Sequence, residues 1–477
     1  MLNYLLAVLT GVLLAIIHPS LNLWFLAPVA IAPLVYALAC EWRPKHRFLL
    51  GYASGFTFWA GINYWIQFVI SVHGGVGALG GTGVYLLFCV LKALHLGVFG
   101  LLAGVLVQKP WALLSIPALW VAIEFIPGPF YYTWLTLGNA GLEMGWPMRL
   151  APYTGAYGLS YVFALLGTAT AWAMLGRSRR ELIFLAQLLV MPALPALPAP
   201  QPPPQSAVAV QPNIGERDDW TAESVQALHN KLDFLSLASA LDSKQSGTDL
   251  ILWPEIPAPV YYYDHAPLRD KVQMLARLTR SHILMGTVAH SEHGLPLNSA
   301  LFLTPDGQAL GRYDKMFLVP FGEYTPFPFK GIAGKVSGEI GDFAPGQEVK
   351  VFPVPGGRIA PFICYESAQP QFVRRLAAAG ATVLANLSND GYFGASAARP
   401  QHLNLVRMRA AENRRWILRA TNDGITAAID SAGRVRQTFP PNTETSGRLS
   451  YAHISQITFY SKHGDIFAWC CILLAAA

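Results

Sequence analysis

The chain changes its pattern of hydrophobic and polar residues near residue 200. Before that point, long apolar runs follow one another with short polar loops between them, at residues 3–20, 22–40, 48–71, 83–107, 111–127, 156–176 and 181–197, and an eighth run begins near residue 465. A helix needs about 20 apolar residues to cross the hydrocarbon core of a membrane. The pattern therefore predicts an α-helical polytopic membrane domain with about eight transmembrane helices.

The basic residues of this part cluster in alternate loops, and this predicts the orientation of the helices. The loops after runs two, four and six contain Arg43, Lys45 and Arg47, then Lys109, then Arg177, Arg179 and Arg180; the other loops have almost none, with Arg149 as the exception. Loops rich in Lys and Arg stay in the cytoplasm, so residues 198–464 are expected on the outer face. The first run lacks a basic n-region and an A-x-A-like site, which predicts a retained helix instead of a cleaved signal.

Beyond the proline-dense segment 192–205, short apolar runs alternate with longer amphipathic segments. The short runs predict strands at SAVAVQPN, TDLILWPE, HILMGTVA, SALFLTPDG, RIAPFICYE and ATVLANLSND. The amphipathic segments predict helices at TAESVQALHNKLDFLSLASAL, PLRDKVQMLARLTR, SAQPQFVRRLAAAG and QHLNLVRMRAAENRR. This alternation predicts an α/β layered domain. The expected domains are residues 1–197 with spans one to seven, residues 198–464, and residues 465–477 as span eight.

The composition agrees with a membrane protein and argues against other classes. Of the 477 residues, 53% are hydrophobic and 13% are charged, which is too apolar for an ordinary soluble protein of this length. The net charge is +6, but no basic stripe with interleaved aromatic residues indicates a nucleic acid partner. The twelve histidines show no ligand spacing with a cysteine or an acid. Neither a metal nor another cofactor is expected.

One cysteine stands apart from the others. Strongly apolar segments contain Cys40, Cys89, Cys470 and Cys471, whereas Cys364 ends a predicted strand of the α/β part. It has no partner cysteine there, so a disulfide is not expected. A lone thiol of this kind is either a small core residue or a nucleophile.

Three motifs at strand ends favour the nucleophile. LWPE ends in Glu255, RYDKMFLVPFGEYTP contains Lys315 and Glu323, and ICYE contains Cys364 and Glu366. In an α/β sheet the loops that follow the strands meet in one crevice, so these groups are expected to converge. A carboxylate can take the thiol proton. An ammonium can stabilise the thiolate and the oxyanion that forms when a carbonyl is attacked.

Each of these residues also has an ordinary alternative. Glu255 would then be a surface acid at a strand end, Lys315 a solvated loop residue, and Glu323 a cap or an ion-pair partner. Their apolar and Pro/Gly-rich surroundings argue against this set of alternatives, because unpaired charges are costly there. The backbone N–H of Tyr365 is a natural second donor to the oxyanion.

The motifs WPE, YDK followed by VPFGEY, and CYE resemble the Glu-Lys-Cys signature of the nitrilase superfamily of carbon–nitrogen hydrolases. The segment RATNDGITAAID, residues 419–430, is similar to a late segment of its membrane branch, the bacterial apolipoprotein N-acyltransferases, and the resemblance covers essentially the whole chain. It implies a nitrilase-like α-β-β-α sandwich for residues 198–464, which would face the periplasm from the bacterial inner membrane. It also implies these roles: Glu255 as base, Lys315 as oxyanion stabiliser, Cys364 as nucleophile, Glu323 and Glu366 as supporting acids, Tyr365 as an active-site neighbour and Trp220 as a substrate-side residue.

The resemblance further implies the reaction. An acyl chain of a phospholipid would pass to Cys364 as a thioester and then to the N-terminal α-amine of a diacylglyceryl-cysteine apolipoprotein, and we expect a monomer. One alternative is a membrane-tethered amidase with the same triad, which eight spans argue against because a soluble amide needs no such platform. Another is a lipid-binding or transport protein with a decayed nitrilase domain, which the intact triad argues against.

Three further hypotheses concern contacts with lipid. The segment TPFPFKGIAGKVSGEIGDF, residues 325–343, is expected to be a mobile lid that touches the bilayer, and VYYYDH, residues 260–265, is expected to supply interfacial aromatic residues. The alternative for both is an ordinary surface loop. Lys92 lies within the fourth run, where a charge is costly. It is expected either to turn outward and meet Glu124 or a lipid head group, or to extend toward the nearer interface.

Overall fold

The computed structural model describes residues 1–126, 132–200, 202–215, 220–241, 249–324 and 343–477. The chain forms two compact units. The first unit comprises Met1–Leu197, Ser396–Met408 and His463–Ala477. The second unit comprises Pro198–Ala395 and Arg409–Lys462.

The first unit is built from helices. Up to residue 197 these are α1 (Leu2–Ile16), α2 (Ala32–Cys40), α3 (Pro44–Ile62), α4 (Trp65–Val72), α5 (Gly77–Leu106), α6 (Ala112–Phe125), α7 (Ala151–Thr154), α8 (Ala156–Met174) and α9 (Val190–Ala193). Between them lie 3₁₀ helices at Trp24–Val29, Leu137–Glu143, Pro147–Leu150 and Arg179–Leu189. Each predicted apolar run before residue 200 is helical, as expected for a chain that must satisfy its backbone hydrogen bonds internally in lipid.

One helix in the described part of the chain is long and apolar enough to cross a membrane by itself. It is α5, with 30 residues. Shorter apolar helices lie at Leu2–Ile16, Trp24–Cys40, Ala112–Phe125 and Ile466–Ala476. The predicted set of eight spans is therefore not confirmed. Two runs differ for local reasons, since run three is interrupted between α3 and α4 and run seven folds as a 3₁₀ helix followed by the short α9.

Helices α3 and α5 approach each other through glycines. A Cβ on Gly51 would lie 2.0 Å from the backbone oxygen of Leu96, and a Cβ on Gly100 would lie 2.4 Å from the backbone oxygen of Arg47. Only a residue without a side chain permits this distance between two backbones. Small residues at such crossings are typical of helix pairs in membranes.

The second unit contains two six-stranded sheets. Their strands are β1 (Gln205–Gln211), β2 (Leu250–Leu252), β3 (His282–His290), β4 (Pro296–Leu303), β5 (Ala309–Asp314), β6 (Phe352–Val354), β7 (Gly357–Ile363), β8 (Val383–Ser388), β9 (Trp416–Thr421), β10 (Ala427–Ile429), β11 (Val435–Thr438) and β12 (Thr445–Tyr451). The strand orders are β12-β1-β2-β3-β4-β5 and β11-β10-β9-β8-β7-β6. All six predicted strands are confirmed.

Helices cover the sheets, and the sheets contact each other. The four predicted helices are confirmed as α10 (Ala222–Ala240), α11 (Ala266–Thr279), α12 (Pro370–Ala378) and α13 (Ala398–Asn413), and α14 (Phe459–His463) follows. The part of α13 up to Met408 and the last helix, α15 (Ile466–Ala476), belong to the first unit. Helices α10 and α11 share a hydrophobic core with the first sheet that includes Leu232, Trp253 and Val272. Helix α12 contacts β7, while β4 contacts β7 and β1 contacts β9 across the two sheets. The predicted α/β domain is confirmed.

The strand directions bring the motif residues to the edges from which the chain leaves each sheet. Strands β1, β2 and β3 are parallel, and β5 runs antiparallel to β4, which runs antiparallel to β3. The carboxyl ends of β2 and β5 therefore lie at one edge, where Glu255 and Lys315 follow them. In the second sheet β7, β8 and β9 are parallel, and Cys364 follows β7.

Candidate active site

The candidate nucleophile lies at a sharp turn at the end of β7. Cys364 is buried, begins the 3₁₀ helix Cys364–Ala368 and has a φ of +50°. A side chain disfavours a positive φ, which costs on the order of 1–3 kcal/mol unless the surrounding structure holds it. Two more positive φ values occur beside the other motifs, +31° at Ile256 and +63° at Phe321. Positive φ values thus recur beside the motif residues.

A buried set of ion pairs joins the first two motifs. The Lys315 ammonium is 1% exposed, and its Nζ lies 3.1 Å from Glu255 Oε1 and 2.9 Å from Glu323 Oε1. A buried charge is tolerated when it is paired and hydrogen-bonded. The alternatives of a surface acid for Glu255 and of a solvated loop residue for Lys315 are therefore wrong. Glu323 is an ion-pair partner, and its Oε2 also accepts a hydrogen bond from the Val319 N–H at 2.8 Å.

Asn298 is a site residue that no sequence motif indicated. Its Nδ2 donates to Glu255 Oε1 at 2.7 Å and to Glu323 Oε1 at 2.8 Å. Its backbone oxygen accepts from the Lys315 N–H at 2.8 Å. This amide therefore fixes the distance between the two carboxylates. It does so because β4 pairs antiparallel with β5, with Ser299 opposite Asp314, and this pairing is not visible in the local sequence.

The second carboxylate oxygen of Glu255 is held from the other sheet. Glu255 Oε2 accepts a hydrogen bond from the backbone N–H of Asn389, at 2.9 Å, in the loop that follows β8. On its other side the Glu255 backbone packs on Gly286, where a Cβ would lie 2.7 Å from the Glu255 Cα. Both oxygens of the candidate base thus have defined donors, and its rotamer is fixed.

Glu366 joins the segment after β5 to the turn after β7. Its Oε1 accepts hydrogen bonds from the Tyr313 hydroxyl at 2.6 Å and the Met316 N–H at 2.7 Å, and its Oε2 accepts from the Ile363 N–H at 2.7 Å. Burial raises the pKa of Glu366 to about 7, although these hydrogen bonds oppose the rise. Such contacts fit an acid that positions the turn of the nucleophile.

Burial and the neighbouring charges keep the resting thiol protonated. Burial alone would lower the pKa of Lys315, but the negative charges of Glu255 and Glu323 outweigh it and raise this pKa well above its ordinary value. Burial, followed by the charge of Glu255, raises the pKa of Cys364, and the Lys315 ammonium offsets only part of that rise. At neutral pH the thiol therefore needs a base before it can attack.

The predicted site residues Tyr365 and Trp220 lie in different surroundings: Tyr365 is next to the nucleophile, and Trp220 is against a hydrophobic core. Tyr365 follows the nucleophile in the same 3₁₀ helix and is buried. Trp220 is partly buried and packs against the hydrophobic core of α10, α11 and the first sheet, which includes Trp253. The expected substrate-side role of Trp220 stays a prediction.

The hypotheses on lipid contact have separate outcomes. The expected lid lies outside the described residues except for Phe343, whose N–H donates to the backbone oxygen of Glu323 at 2.8 Å. In the expected interfacial segment, residues 260–265, Tyr263 is 45% exposed, whereas Tyr262 is a core residue at 1%. Tyr261 stacks on His290 with ring centroids 4.2 Å apart. An interfacial role is therefore wrong for Tyr262.

The expected pairing of Lys92 with Glu124 is wrong. Lys92 Nζ donates to the backbone oxygen of Tyr132 at 2.9 Å and lies 4.6 Å from the ring centroid of Trp59. Glu124 Oε1 instead accepts from the Trp120 indole N–H at 2.9 Å and from the Leu137 N–H at 2.8 Å. The ammonium is stabilised by a carbonyl dipole and an aromatic face.

Comparisons with known proteins agree with both units. The family model described as carbon-nitrogen hydrolase matches residues 207–461, and the model described as apolipoprotein N-acyltransferase N-terminal domain matches residues 10–169. Among solved structures, a mutant amidase of the nitrilase superfamily from Nesterenkonia AN1 has a TM-score of 0.42 and 19% identity, and the match covers 57% of this chain and 98% of that one.

Curated relatives match nearly the whole chain. An apolipoprotein N-acyltransferase of Geobacter metallireducens is 34% identical over 505 residues, which cover 99% of this chain and 94% of the relative. One of Pseudomonas syringae pv. tomato is 32% identical over 460 residues, which cover 91% of this chain and 88% of the relative. The second unit is thus a nitrilase-like domain of the carbon–nitrogen hydrolase class. The chain as a whole belongs to the apolipoprotein N-acyltransferase family and is an acyltransferase.

Metal ligands do not cluster in the part of the chain that the structure describes. Among those residues, no group of three or more His, Cys, Asp or Glu side chains could hold a metal ion.

Proposed function

We propose that this chain N-acylates apolipoproteins by moving an acyl chain from a phospholipid, through a thioester on Cys364, to the N-terminal α-amine of a diacylglyceryl-cysteine. The observation that carries the assignment of residues is the buried pair of Lys315 and Glu255, with Nζ 3.1 Å from Oε1, whose two charges both act on the thiol of Cys364. The names of the relatives support the acceptor and the reaction type.

The first half-reaction transfers the acyl chain to the enzyme. Glu255 takes the proton of the Cys364 thiol, and the thiolate attacks the ester carbonyl of the phospholipid. The oxyanion of the tetrahedral intermediate is stabilised by the Lys315 ammonium and the Tyr365 backbone N–H. The C–O bond then breaks, Glu255 returns its proton to the glycerol oxygen, and a lysophospholipid leaves.

The second half-reaction transfers the acyl chain to the amine. The neutral α-amine of the apolipoprotein attacks the thioester carbonyl, and Glu255 accepts a proton from the attacking nitrogen. The C–S bond breaks, and the proton returns to the sulfur of Cys364, which regenerates the resting thiol. Water competes with the amine for the thioester, so the site must exclude water while the acyl-enzyme waits.

The acyl donor is a membrane phospholipid, and we propose that the enzyme is anchored in the same membrane. In this proposal residues 1–197 and 465–477 anchor the chain in the bacterial inner membrane with eight spans, and the catalytic domain, residues 198–464, faces the periplasm. The apolar helix α5 and the shorter apolar helices support the anchor. The basic loops support the orientation.

A membrane-tethered amidase with the same residues is the alternative, and it is not favoured. The Glu-Lys-Cys set defines the nucleophile but not the acceptor. The match of residues 10–169 to the N-terminal domain of apolipoprotein N-acyltransferases extends the likeness beyond the domain that amidases share. The likeness to the acyltransferases thus includes the part of the chain that an amidase does not need.

The test is the substitution Cys364→Ala in the purified full-length protein. After exposure to a phospholipid with a labelled acyl chain, mass spectrometry should find one hydroxylamine-labile acyl adduct on the wild type and none on the variant. The matched control is Cys470→Ala, because Cys470 is another free cysteine but is exposed and lies in α15. It should acquire the adduct as the wild type does.

Adding a diacylated lipopeptide with a free α-amine should then discharge the adduct and yield an N-acylated peptide. Release of free fatty acid without N-acylation would favour a hydrolase. An adduct that persists in Cys364→Ala would place the nucleophile elsewhere.

A further inference from the structure

A second buried ion pair lies behind the candidate base, and the chemistry above leaves it without a role. Asp390 Oδ1 and Oδ2 accept hydrogen bonds from Arg419 Nη2 at 2.9 and 2.7 Å. Neither side chain has any exposed surface. Burying two charges is expensive, and replacement of such pairs by apolar residues is often neutral or stabilising. Stability alone therefore does not explain why this pair is fully buried, and its contacts indicate a role in the site.

The pair fixes the loop that holds Glu255. Asp390 directly follows Asn389, whose N–H donates to Glu255 Oε2 at 2.9 Å. Strands β8 and β9 are parallel, with Asn386 opposite Arg419, so the arginine side chain extends past the end of β8 to the Asp390 carboxylate. Arg419 is itself fixed, because Nε donates to the Ile425 oxygen at 3.2 Å and Nη1 donates to Asn386 Oδ1.

Neighbouring groups hold the Asp390 carboxylate in place. The Ser388 hydroxyl donates to Asp390 Oδ1 at 3.0 Å. A Cβ on Gly424 would lie 2.3 Å from Asp390 Oδ2, so the turn after β9 closes over the carboxylate. Asn389 Oδ1 accepts from the Gly391 N–H at 3.2 Å, which constrains the same loop from its far side.

We propose that Asp390 and Arg419 are positioning residues for the reaction: their ion pair holds the Asn389 N–H on Glu255 Oε2 and so orients the base toward the Cys364 thiol. The inference rests on the proposed function for the identity of the base. The pair acts on the base through the backbone of one loop, and, besides burial and the charge of Glu255, the charge of Asp390 also raises the pKa of the Cys364 thiol.

The consequence for catalysis follows from the hydrogen bond. An N–H donor stabilises a carboxylate over the neutral acid, so loss of this donor makes the base easier to protonate and less well aimed. The acidic limb of the pH–rate profile should therefore move to higher pH when the pair is broken. Glu255 also pairs with Lys315, and Asn298 bridges it to Glu323; the substitutions below leave these residues unchanged.

Besides burial, the charges of Glu255 and Asp390 both raise the pKa of the Cys364 thiol. Loss of the Asp390 charge alone would lower the pKa of the thiol and speed its alkylation, so slowing of the reaction distinguishes the positioning role from this direct effect.

The test uses the full-length protein in detergent micelles with two readouts. The first is the single-turnover rate of thioester formation with phosphatidylethanolamine that has a labelled acyl chain. The second is the rate at which iodoacetamide alkylates Cys364, which needs no acyl donor. Both are measured across the pH range for wild type, Asp390→Asn, Arg419→Lys, Arg419→Gln and the double variant Asp390→Asn/Arg419→Gln.

We expect Asp390→Asn to slow both reactions by roughly tenfold to a hundredfold, which does not exceed the roughly 10²–10⁴-fold that a general base contributes, with the acidic limb shifted upward and the KM for phospholipid unchanged. Arg419→Lys keeps the charge and should retain part of the rate. The double variant should be no slower than the slower single variant, because both residues act through one contact.

The matched control is Asp430→Asn. Asp430 is a buried carboxylate of the same unit, and its Oδ2 accepts from Arg434 Nε at 2.7 Å in the turn after β10. This variant should lose stability without a change in either pH profile. Equal slowing at every pH in Asp390→Asn, or slowing no greater than in Asp430→Asn, would overturn the positioning role. A wild type that forms no acyl adduct would refute the proposed function instead, and the alkylation profiles would still decide the role of the pair.

Discussion

The candidate nucleophile is a cysteine whose surroundings disfavour its charged form. Burial and the charge of Glu255 raise the pKa of the Cys364 thiol, whereas many reactive cysteines have a lowered pKa. Thiolate therefore forms when the base accepts the proton during attack and does not persist at rest. A protonated thiol oxidises slowly, which would suit the periplasmic location proposed above.

The buried acid Glu366 predicts a dependence of stability on pH. Burial raises its pKa from 4.5 to about 7 in the folded protein, so its contribution to stability is fully present below pH 4.5 and is lost as the pH rises through about 7. The loss amounts to on the order of 3 kcal/mol. The variant Glu366→Gln removes this titration, and its midpoint of thermal unfolding should therefore rise relative to the wild type as the pH increases from acidic to weakly basic.

The control for this prediction is Glu348→Gln. Glu348 is an exposed acid that pairs with Lys350 at 2.7 Å, and such surface pairs contribute little. Its midpoint should keep a constant offset from the wild type over the same pH range. A constant offset for Glu366→Gln as well would show that the carboxyl stays ionised in the folded protein.

At the level of elements, the crossing of α3 and α5 depends on the absence of side chains. The Gly51 Cβ position lies 2.0 Å from the Leu96 oxygen, so Gly51→Ala must push the two helices apart. Overpacking of this kind costs about 1–3 kcal/mol. We expect Gly51→Ala to lower the thermal unfolding midpoint in detergent micelles and the yield of folded protein.

The control for Gly51→Ala is Gly83→Ala, on α5. A Cβ on Gly83 would meet no atom within 4 Å, and alanine is a better helix former than glycine by about 1 kcal/mol. Gly83→Ala should therefore leave the midpoint unchanged or raise it. A similar loss for both variants would mean that the crossing is not the cause.

Six of the twelve strands that the structure describes in the second unit were predictable because their signals are local. Each of the six is a short apolar run bounded by turn residues, and Glu255 and Cys364 follow two of these runs. The strand before Lys315, ALGRYD, and the strands VRQT and TSGRLSY are not apolar runs and were not predicted. Asn298 and Asn389 were not predictable, since each acts through a strand or loop that is close only in the folded sheet. The same reason explains the wrong partner for Lys92, which binds a carbonyl 40 residues away in the chain.

At the level of the whole chain, run seven decides, in the proposed topology, on which side of the membrane the catalytic domain would lie. Its residues form most of the 3₁₀ helix Arg179–Leu189, which has 11 residues, and the four residues of α9. A 3₁₀ helix rises about 2.0 Å per residue and an α-helix about 1.5 Å, so the two together extend about 28 Å. That length approaches the hydrocarbon thickness of about 30 Å, although the run has few residues.

Arg149 is the exception to the pattern of basic residues in alternate loops, and its contacts explain why. Arg149 Nη1 donates to the backbone oxygens of Pro192 and Leu194, each at 3.1 Å. These carbonyls end run seven, where the helix leaves them without internal partners. Arg149 therefore lies next to the end of run seven, as the proposed topology requires. Its guanidinium binds these carbonyls instead of remaining in an open loop.

The proposed orientation makes a prediction that brackets run seven. A reporter enzyme that is active only in the periplasm should be active when fused after Gln205 and inactive when fused after Arg180, because the basic loop that contains Arg177 and Arg180 stays in the cytoplasm. The matched control is a fusion after Lys109, in another basic loop, which should also be inactive. Activity at both Arg180 and Gln205 would mean that run seven does not cross. Activity at Arg180 with none at Gln205 would invert the map and leave Cys364 on the cytoplasmic side, away from the acceptor amines that the proposed function requires.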